Sequence, residues 1–133
     1  MLILSSTIKY DCDFPILLLP MPFSVVPRPP RTVVIEIGET LDFHNASDFK
    51  ILCREQVEAG YQNFILDFSR TDLLDSTGLG AIFSLYRRIS PNDGRVVFAG
   101  ASRPVQVVVQ LTRTYKVFRQ FPSVEAAHGA LED

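Results

Sequence analysis

The sequence predicts a single α/β domain with a mainly parallel β-sheet, and two observations support this. Strongly apolar or β-branched segments typical of buried strands recur as TVVIEI (32–37), NFILDF (63–68) and RVVFAG (95–100). Segments with apolar residues at helical spacing lie between and after them. Because alternating strands and helices build βαβ units, about four helices should pack against this sheet.

The N-terminal half of the domain is predicted to begin with an edge strand. FSVV (23–26) supplies this strand, PRPPR (27–31) supplies a turn, and TVVIEI follows as the next strand. A helix should come next, because Phe49, Cys53 and Val57 recur at helical spacing. Asn45 or Ser47 can cap this helix, and Gly60 ends it.

A second helix is predicted after NFILDF, beginning at DSTGLG (75–80). Its apolar side chains recur along one face, so this face should pack on the sheet while Arg87 and Arg88 point to solvent. The residues of this stripe are Leu79, Ile82, Phe83, Tyr86 and Ile89. PNDG (91–94) then forms a turn before RVVFAG.

In the C-terminal third, one element can be either a helix or a strand. In RPVQVVVQLTR (103–113), Pro104 suits the first turn of a helix, whereas the run of valines favours a strand. KVFRQF (116–121) is predicted as a strand and SVEAAHGALE (123–132) as a final helix capped by Ser123. The predicted order is therefore β β α β α β α β α, with FSVV paired to TVVIEI at the edge.

Composition limits the classes of function. The chain has 133 residues, 47% hydrophobic and 21% charged, with a net charge of −2, typical of one globular domain. Its basic residues are scattered, so no nucleic-acid partner is expected. Cys12 and Cys53 are the two cysteines, without a CxxC motif, which argues against a metal site or a disulfide framework and fits a reducing cytoplasm.

The N-terminal segment differs from the rest in composition. Residues 1–30 hold six of the nine prolines, and within the apolar stretch FPILLLPMPFSVV (14–26) the longest unbroken apolar run is residues 16–19. A membrane span needs about 18 apolar residues, so neither direct membrane insertion nor an export signal is expected. We expect residues 1–20 to be a poorly ordered extension or a mis-assigned start, and residues 21–133 to form the domain.

The stretch LLDSTGLGAIF (73–83) places an acid, two hydroxyls and two glycines where a helix begins. In the predicted topology Asp75, Ser76 and Thr77 follow a central strand, at the edge where open α/β sheets bind ligands. A helix N-terminus also favours an anion, so a phosphate on Ser76 could be accommodated. The alternative is that Asp75 is only a helix cap.

The glycines of this stretch suggest a close approach, because Gly78 and Gly80 each cost a helix about 1 kcal/mol relative to Ala. The approaching group could be a partner or the neighbouring sheet. Asp67, which ends the preceding strand, could be a structural acceptor in the loop or part of an acidic rim around Ser76.

Catalytic chemistry is not expected. Ser76 lies outside a GxSxG elbow, and His44 and His128, both predicted to be exposed, are the two histidines that could act as a base. Neither GxGxxG nor a Walker pattern is present. The chain is therefore not predicted to be an enzyme, and no cofactor is expected.

Three segments resemble one family. FILDFSRTDLLDSTGLGAIFSLYRRI (64–89) closely resembles the signature of STAS domains of the anti-sigma-factor antagonist type, in which an apolar strand ends in Asp and D-S-[ST]-G-L-G opens a helix. TLDFHNASDF (40–49) is similar to the family's G-x-L-D segment, and residues 96–131 resemble its C-terminal half. The resemblance extends from about Met21 to the end of the chain.

The resemblance implies partner switching between proteins. In the family, the unphosphorylated antagonist binds a kinase-type anti-sigma factor, which uses ATP to phosphorylate the Ser after the motif Asp and so ends binding. A serine phosphatase resets the switch. On this chain the implied phosphate acceptor is Ser76, and Asp42 matches the acidic residue of the L-D segment. The implied partner-binding residues are Asp42, Asp75, Ser76, Thr77, Gly78 and Leu79.

The sequence departs from the family pattern in two places. The family's Gly before the Leu-Asp pair falls on Glu39, with Gly38 one place earlier, and residues 103–111 are more apolar than usual. An alternative function follows from the same resemblance. The chain could be a STAS domain that is not phosphorylated, serving as a scaffold or as an accessory subunit of a membrane lipid or anion transport system.

Overall fold

A computed structural model of the chain describes residues 23–132, in which strands and helices alternate as predicted. The strands are β1 (Ser24–Arg28), β2 (Thr32–Glu36), β3 (Thr40–Leu41), β4 (Asn63–Asp67), β5 (Leu73–Leu74), β6 (Arg95–Ala99) and β7 (Arg119–Phe121). The helices are α1 (Ala46–Glu58), α2 (Ser76–Ile89), α3 (Arg103–Leu111) and α4 (Val124–Leu131). The prediction for residues 1–20 lies outside the described residues.

The main sheet has five strands in the order β1-β2-β4-β6-β7. β1 is antiparallel to β2 at one edge, and the other neighbours are parallel. This confirms the predicted α/β class, the mainly parallel sheet and the N-terminal edge strand. β1 extends to Arg28, so the turn that was predicted for residues 27–31 is shorter than expected.

Helices cover both faces of the sheet. One face, which includes Ile35, Leu66 and Phe98, packs against α1, α2 and α3 in the larger hydrophobic core. The other face, which includes Ile65 and Val97, packs against α4. Adjacent strand residues point to opposite faces, so strands covered on both sides need the near-continuous apolar sequences on which the prediction was based.

The predicted orientation of α2 is confirmed. Its stripe faces the core, with Leu79, Ile82 and Ile89 buried, while Arg87 and Arg88 are exposed. Phe83 and Tyr86 are half-buried and contact the buried ring of Phe118 at centroid distances of 5.1 and 5.5 Å.

A second, two-stranded sheet was not predicted. β3 and β5 pair in parallel, with Thr40 opposite Leu73 and Leu41 opposite Leu74. Each strand has only two residues, which is too short for an alternating apolar pattern to indicate a strand. This small sheet brings the segment before α1 next to the segment before α2.

In the C-terminal third, the structure decides between the two alternatives for residues 103–111 and corrects the start of the last strand. Residues 103–111 form a helix, so the strand alternative is wrong, and Val105 and Val109 are buried one turn apart on its inner face. The strand predicted over residues 116–121 begins only at Arg119, because a 3₁₀ turn covers Thr114–Lys116. The predicted cap of α4 is confirmed, since the Ser123 hydroxyl oxygen accepts a hydrogen bond from the Ala126 N–H at 3.1 Å.

His128 is not the exposed surface residue that was predicted. Its side chain is 18% exposed and lies between β1 and its own helix. Arg28 donates a hydrogen bond to His128 Nδ1 at 3.2 Å and pairs with Glu125 at 2.6 Å. These contacts join α4 to the edge strand β1, an arrangement that a single helix pattern cannot indicate.

Candidate functional site

The candidate site lies where the small sheet ends. Asp42 follows β3 and Asp75 follows β5, and the two strands pair in register, so both acids leave the sheet side by side. The Asp75 N–H donates a hydrogen bond to the Leu41 carbonyl at 3.2 Å, which extends this pairing by one residue. The small sheet therefore explains why two segments that are distant in sequence share one surface.

Asp75 holds the start of α2. Its Oδ1 accepts a hydrogen bond from the Gly78 N–H at 2.8 Å, the geometry of a helix N-cap. Its Oδ2 accepts a second hydrogen bond, at 3.1 Å, from the N–H of Phe43 in the loop before α1. The interpretation of Asp75 as a cap is thus correct, but the same carboxylate also fixes the neighbouring loop.

Asp42 is buried and takes part in hydrogen bonds that hold the loop before α1. It is 8% exposed, and its Oδ1 accepts a hydrogen bond from the His44 N–H at 2.9 Å. The Asn45 side chain turns back to accept from the Asp42 N–H at 3.0 Å, so Asn45, although it stands at the N-cap position, makes no side-chain cap to α1. Asp42 shapes the loop and offers a partner little surface of its own.

Ser76 and Thr77 are the first residues of α2, and both are exposed. Within the described part of the chain, neither side chain makes a hydrogen bond with another protein group. Backbone N–H groups in the first turn of a helix have no partner within the helix backbone. Here the Gly78 N–H already donates to Asp75, so among the described residues the N–H groups of Ser76 and Thr77 remain to bind an anion. The Ser76 hydroxyl therefore combines exposure with a local environment that tolerates negative charge.

The two glycines of the motif lie in opposite environments. A Cβ at Gly78 would meet the Leu41 carbonyl and lie 2.9 Å from Leu41 Cγ, so the close approach expected at this glycine comes from β3 of the small sheet, which was not itself predicted. Gly80 is exposed, and nothing in the described structure lies within 4 Å of the position where its Cβ would stand. Leu79, between them, is buried in the core and serves packing.

Exposed apolar residues beside the motif were not predicted. Phe43 is 67% exposed and Leu73 is 47% exposed. The Phe43 ring contacts the His44 ring in a tilted arrangement at a centroid distance of 4.0 Å, and His44 itself is exposed as predicted. Pattern analysis assigns such residues to the core, so only their position directly beside the two acids could have indicated a surface role.

Other polar groups near the motif support the loops. Asp67 Oδ1 accepts a hydrogen bond from the Ser69 N–H at 3.0 Å, which matches the structural interpretation rather than a free acidic rim. Buried Thr71 donates from its hydroxyl to the Gly38 carbonyl at 2.7 Å. Gly38 has a φ of 81°, so it provides the left-handed turn residue one place earlier than the family pattern.

Solved structures of several proteins have this fold. The anti-sigma factor antagonist SpoIIAA in its unphosphorylated form is 22% identical with a TM-score of 0.74, covering 83% of this chain and 96% of that one. The phosphorylated form of SpoIIAA, a Bacillus cell fate determinant, is 21% identical with a TM-score of 0.67, covering 82% and 98%.

Two further structures come from other bacteria. An anti-sigma factor antagonist from Mycobacterium paratuberculosis is 20% identical with a TM-score of 0.72, covering 86% of this chain and all of that one. A sulfate transporter family protein from Wolinella succinogenes is 19% identical with a TM-score of 0.66, covering 77% and 88%. Within residues 23–132 of the present chain, no helix is both long and apolar enough to cross a bilayer.

The small sheet, the DSTGLG turn into α2 and the mainly parallel main sheet all lie within the part of the chain that matches one protein family. A family model described as the STAS domain matches residues 24–127, which includes every described strand and the first half of the last helix. The chain therefore belongs to the STAS domain family.

Proposed function

We propose that this STAS domain is an anti-sigma-factor antagonist controlled by phosphorylation of Ser76. In the unphosphorylated state it binds a kinase-type anti-sigma factor over the surface around the start of α2. The kinase transfers the γ-phosphoryl group of ATP to the Ser76 hydroxyl, binding is lost, and a serine phosphatase restores the free hydroxyl. The observation that carries this proposal is the exposure of Ser76 between neighbours that are fixed in place.

The division of roles in the motif supports this function. Asp75 satisfies the helix terminus and the neighbouring loop through two hydrogen bonds, so Ser76 has no capping task. Buried Gly78 and Leu79 anchor the other side of Ser76. A kinase would therefore meet a hydroxyl on a rigid turn, and a phosphate added there should leave the fold intact.

Charge explains how phosphorylation could end binding. A phosphate adds about −1.5 to −2 charge at pH 7. Exposed Asp72 and Glu39 lie at the other end of the two-residue strands β5 and β3, where the Asp72 N–H donates to the Glu39 carbonyl at 2.7 Å. A partner covering this surface would have to desolvate the phosphate beside existing negative charge, and such like-charge contacts can cost several kcal/mol.

Exposed apolar side chains explain how the unphosphorylated surface could bind a partner protein. Phe43 and Leu73 expose apolar area next to Ser76, and burial of apolar area drives most protein association. Gly80 offers a place on α2 where a partner's backbone can approach, since no side chain of the described structure fills it. These features provide a contact surface for a protein rather than a pocket for a substrate.

Two comparisons bear on the choice between functions. SpoIIAA, which shares the fold, occurs in unphosphorylated and phosphorylated forms, in line with the proposed switch. The likeness to a sulfate transporter family protein supports the second candidate, a STAS domain that acts as an accessory part of an anion transport system without phosphorylation.

Phosphorylation by a candidate partner kinase tests the proposal. The full chain is incubated with ATP and a kinase-type ATPase encoded near its gene, and the intact mass is measured. The wild type and the Thr77→Ala variant should each gain one phosphate group, whereas Ser76→Ala should gain none. Phosphate on Ser76→Ala would place the acceptor elsewhere, and no phosphate on the wild type would favour the accessory role.

A further inference from the structure

A groove with a strongly basic lining lies between α1 and α2, separate from the motif at the start of α2. Its volume is about 170 Å³, and its lining includes Lys50 and Arg54 from α1 together with Ser84 and Arg88 from α2. Buried Cys53 lies at the α1 side of the same groove. Three exposed cationic residues, Lys50, Arg54 and Arg88, therefore line one small concave space.

Helix geometry places these side chains together. Lys50 and Arg54 are four residues apart, as are Ser84 and Arg88, so each pair lies on one side of its helix. Asp48 and Glu55 of α1 point away from the groove, because at about 100° per residue they fall on the opposite side of the helix. The segregation of charge makes this side of α1 basic although the whole chain has a net charge of −2.

No carboxylate neutralises these cations within the described residues. The ion pairs found there join Arg28 to Glu125, His44 to Asp42 and His128 to Glu132. Glu58 stands four residues after Arg54, yet the two do not come within ion-pair distance. Lys50 and Arg54 repel each other at this spacing, and an anion bound between them would relieve that repulsion.

We propose that this groove binds the phosphate group of a small molecule. Guanidinium groups such as those of Arg54 and Arg88 match phosphate oxygens with paired hydrogen bonds, and Lys50 adds a third positive charge. The Ser84 hydroxyl oxygen accepts a long hydrogen bond from Arg87 at 3.5 Å, so its own proton is available for a phosphate oxygen. The volume suits one phosphate group rather than a helix or a strand of a partner.

The site is independent of the proposed phosphorylation. Ser84 lies eight residues after Ser76 on α2, about 12 Å along the helix axis. The groove therefore does not use the free N–H groups at the helix start, and binding can be measured on the unmodified chain or on Ser76→Ala.

An NMR titration with inorganic pyrophosphate tests the proposal. Amide signals of residues 50–54 and 84–88 in the ¹⁵N-labelled full chain should shift saturably at low salt, and the affinity should fall as salt is added. A Lys50→Gln, Arg54→Gln, Arg88→Gln variant should bind at least about tenfold more weakly, since each lost charge-assisted hydrogen bond is worth about a factor of ten or more.

The matched control removes three exposed cations elsewhere: Arg31→Gln, Arg103→Gln and Lys116→Gln. It has the same net charge as the triple groove variant and should bind pyrophosphate as the wild type does. The single variant Arg88→Gln, expected to bind about tenfold more weakly, serves as the test if the triple variant fails to fold.

Competition then identifies the source of the phosphate. Displacement of pyrophosphate by phosphatidic acid vesicles would assign the site to a lipid headgroup, and persistence of the bound state would assign it to a free phosphate compound. The proposal is overturned if pyrophosphate causes no saturable shift, or if the groove variant and the control respond alike. It is also overturned if a glutamate-rich peptide, titrated in parallel, shifts these signals while pyrophosphate does not.

Discussion

The carboxylate of Asp75 accepts a hydrogen bond from the N–H of Phe43 at 3.1 Å, across 32 residues of sequence. Through this contact the residue that caps α2 also holds the loop that presents an exposed aromatic ring. The acceptor hydroxyl proposed at Ser76 and the apolar surface at Phe43 are thus positioned by one side chain.

Replacing Asp75 with Ala should destabilise the domain by about 2 kcal/mol. Loss of an N-cap costs about 1 kcal/mol, and loss of the second hydrogen bond costs about as much again. Asp75→Asn should cost less, because its one remaining side-chain oxygen can still accept one of the two bonds. Urea denaturation gives the free energy of unfolding for each variant.

Asp72→Ala is the control for that measurement, since Asp72 is an exposed acid three residues earlier, just before β5. It should change the free energy of unfolding by no more than about 0.5 kcal/mol. Equal stabilities for Asp75→Ala and Asp72→Ala would show that the two hydrogen bonds of Asp75 contribute nothing.

The glycines of the motif should respond in opposite directions to the same substitution. Gly78→Ala should destabilise by about 2 kcal/mol or more, because the new methyl group would collide with the Leu41 backbone and side chain. Gly80→Ala should stabilise by up to about 1 kcal/mol, since nothing in the described structure lies within 4 Å and Ala favours the helix. Thermal unfolding compares the two, and a stabilised Gly78→Ala would refute the contact with β3.

Cys53 should be protected from thiol reagents in the folded state. Burial raises the pKa of its thiol far above the ordinary value, because the buried site disfavours the thiolate. In a Cys12→Ser background, the remaining thiol should react with an aromatic disulfide at pH 8 at least about 100-fold more slowly in buffer than in urea. Similar rates in both conditions would mean that α1 does not hold this residue in the core.

The same pKa shift predicts how stability depends on pH. The unfolded thiol ionises near pH 8.5, whereas the folded thiol stays protonated well above that value. Its contribution to stability is therefore fully present below about pH 8.5 and is lost progressively as the pH rises further. A Cys53→Ala variant, although less stable overall, should lack this component of the alkaline decline in melting temperature.

Much of the fold could be predicted from the sequence because long apolar segments determine it. TVVIEI, NFILDF and RVVFAG form the buried centre of the main sheet, and the stripe of α2 faces the core. In residues 103–111 the valines have a high strand propensity, yet the helix forms because Val105 and Val109 bury one turn apart after Pro104. In this segment, the packing of two valines at helical spacing outweighed the intrinsic strand propensity of valine.

The parts that could not be predicted depend on contacts between distant segments. β3 and β5 have two residues each and form only because they pair with each other. The second hydrogen bond of Asp75 and the exposure of Phe43 and Leu73 depend on this pairing. The partial burial of His128 likewise depends on Arg28 of a strand 100 residues away. A pattern within one segment contains no information about such pairings.

Deletion of residues 1–20 should leave the melting temperature nearly unchanged. The prediction rests on the prolines of that segment and on the match of the family model, which begins at residue 24. Differential scanning calorimetry of the full and shortened chains checks it. A large fall in melting temperature on deletion would instead mean that FPILLL packs as part of the folded core.

The affinity of the chain for its candidate anti-sigma factor tests the proposed switch most directly. Isothermal titration calorimetry is carried out with the wild type, Ser76→Ala, Ser76→Asp and the enzymatically phosphorylated protein. The matched control is Asn92→Asp, which adds one negative charge at an exposed position beyond the far end of α2. We expect wild type, Ser76→Ala and Asn92→Asp to bind alike, and the phosphorylated protein to bind at least about tenfold more weakly, with Ser76→Asp also weakened. Equal affinity of the phosphorylated and unphosphorylated proteins would contradict the account.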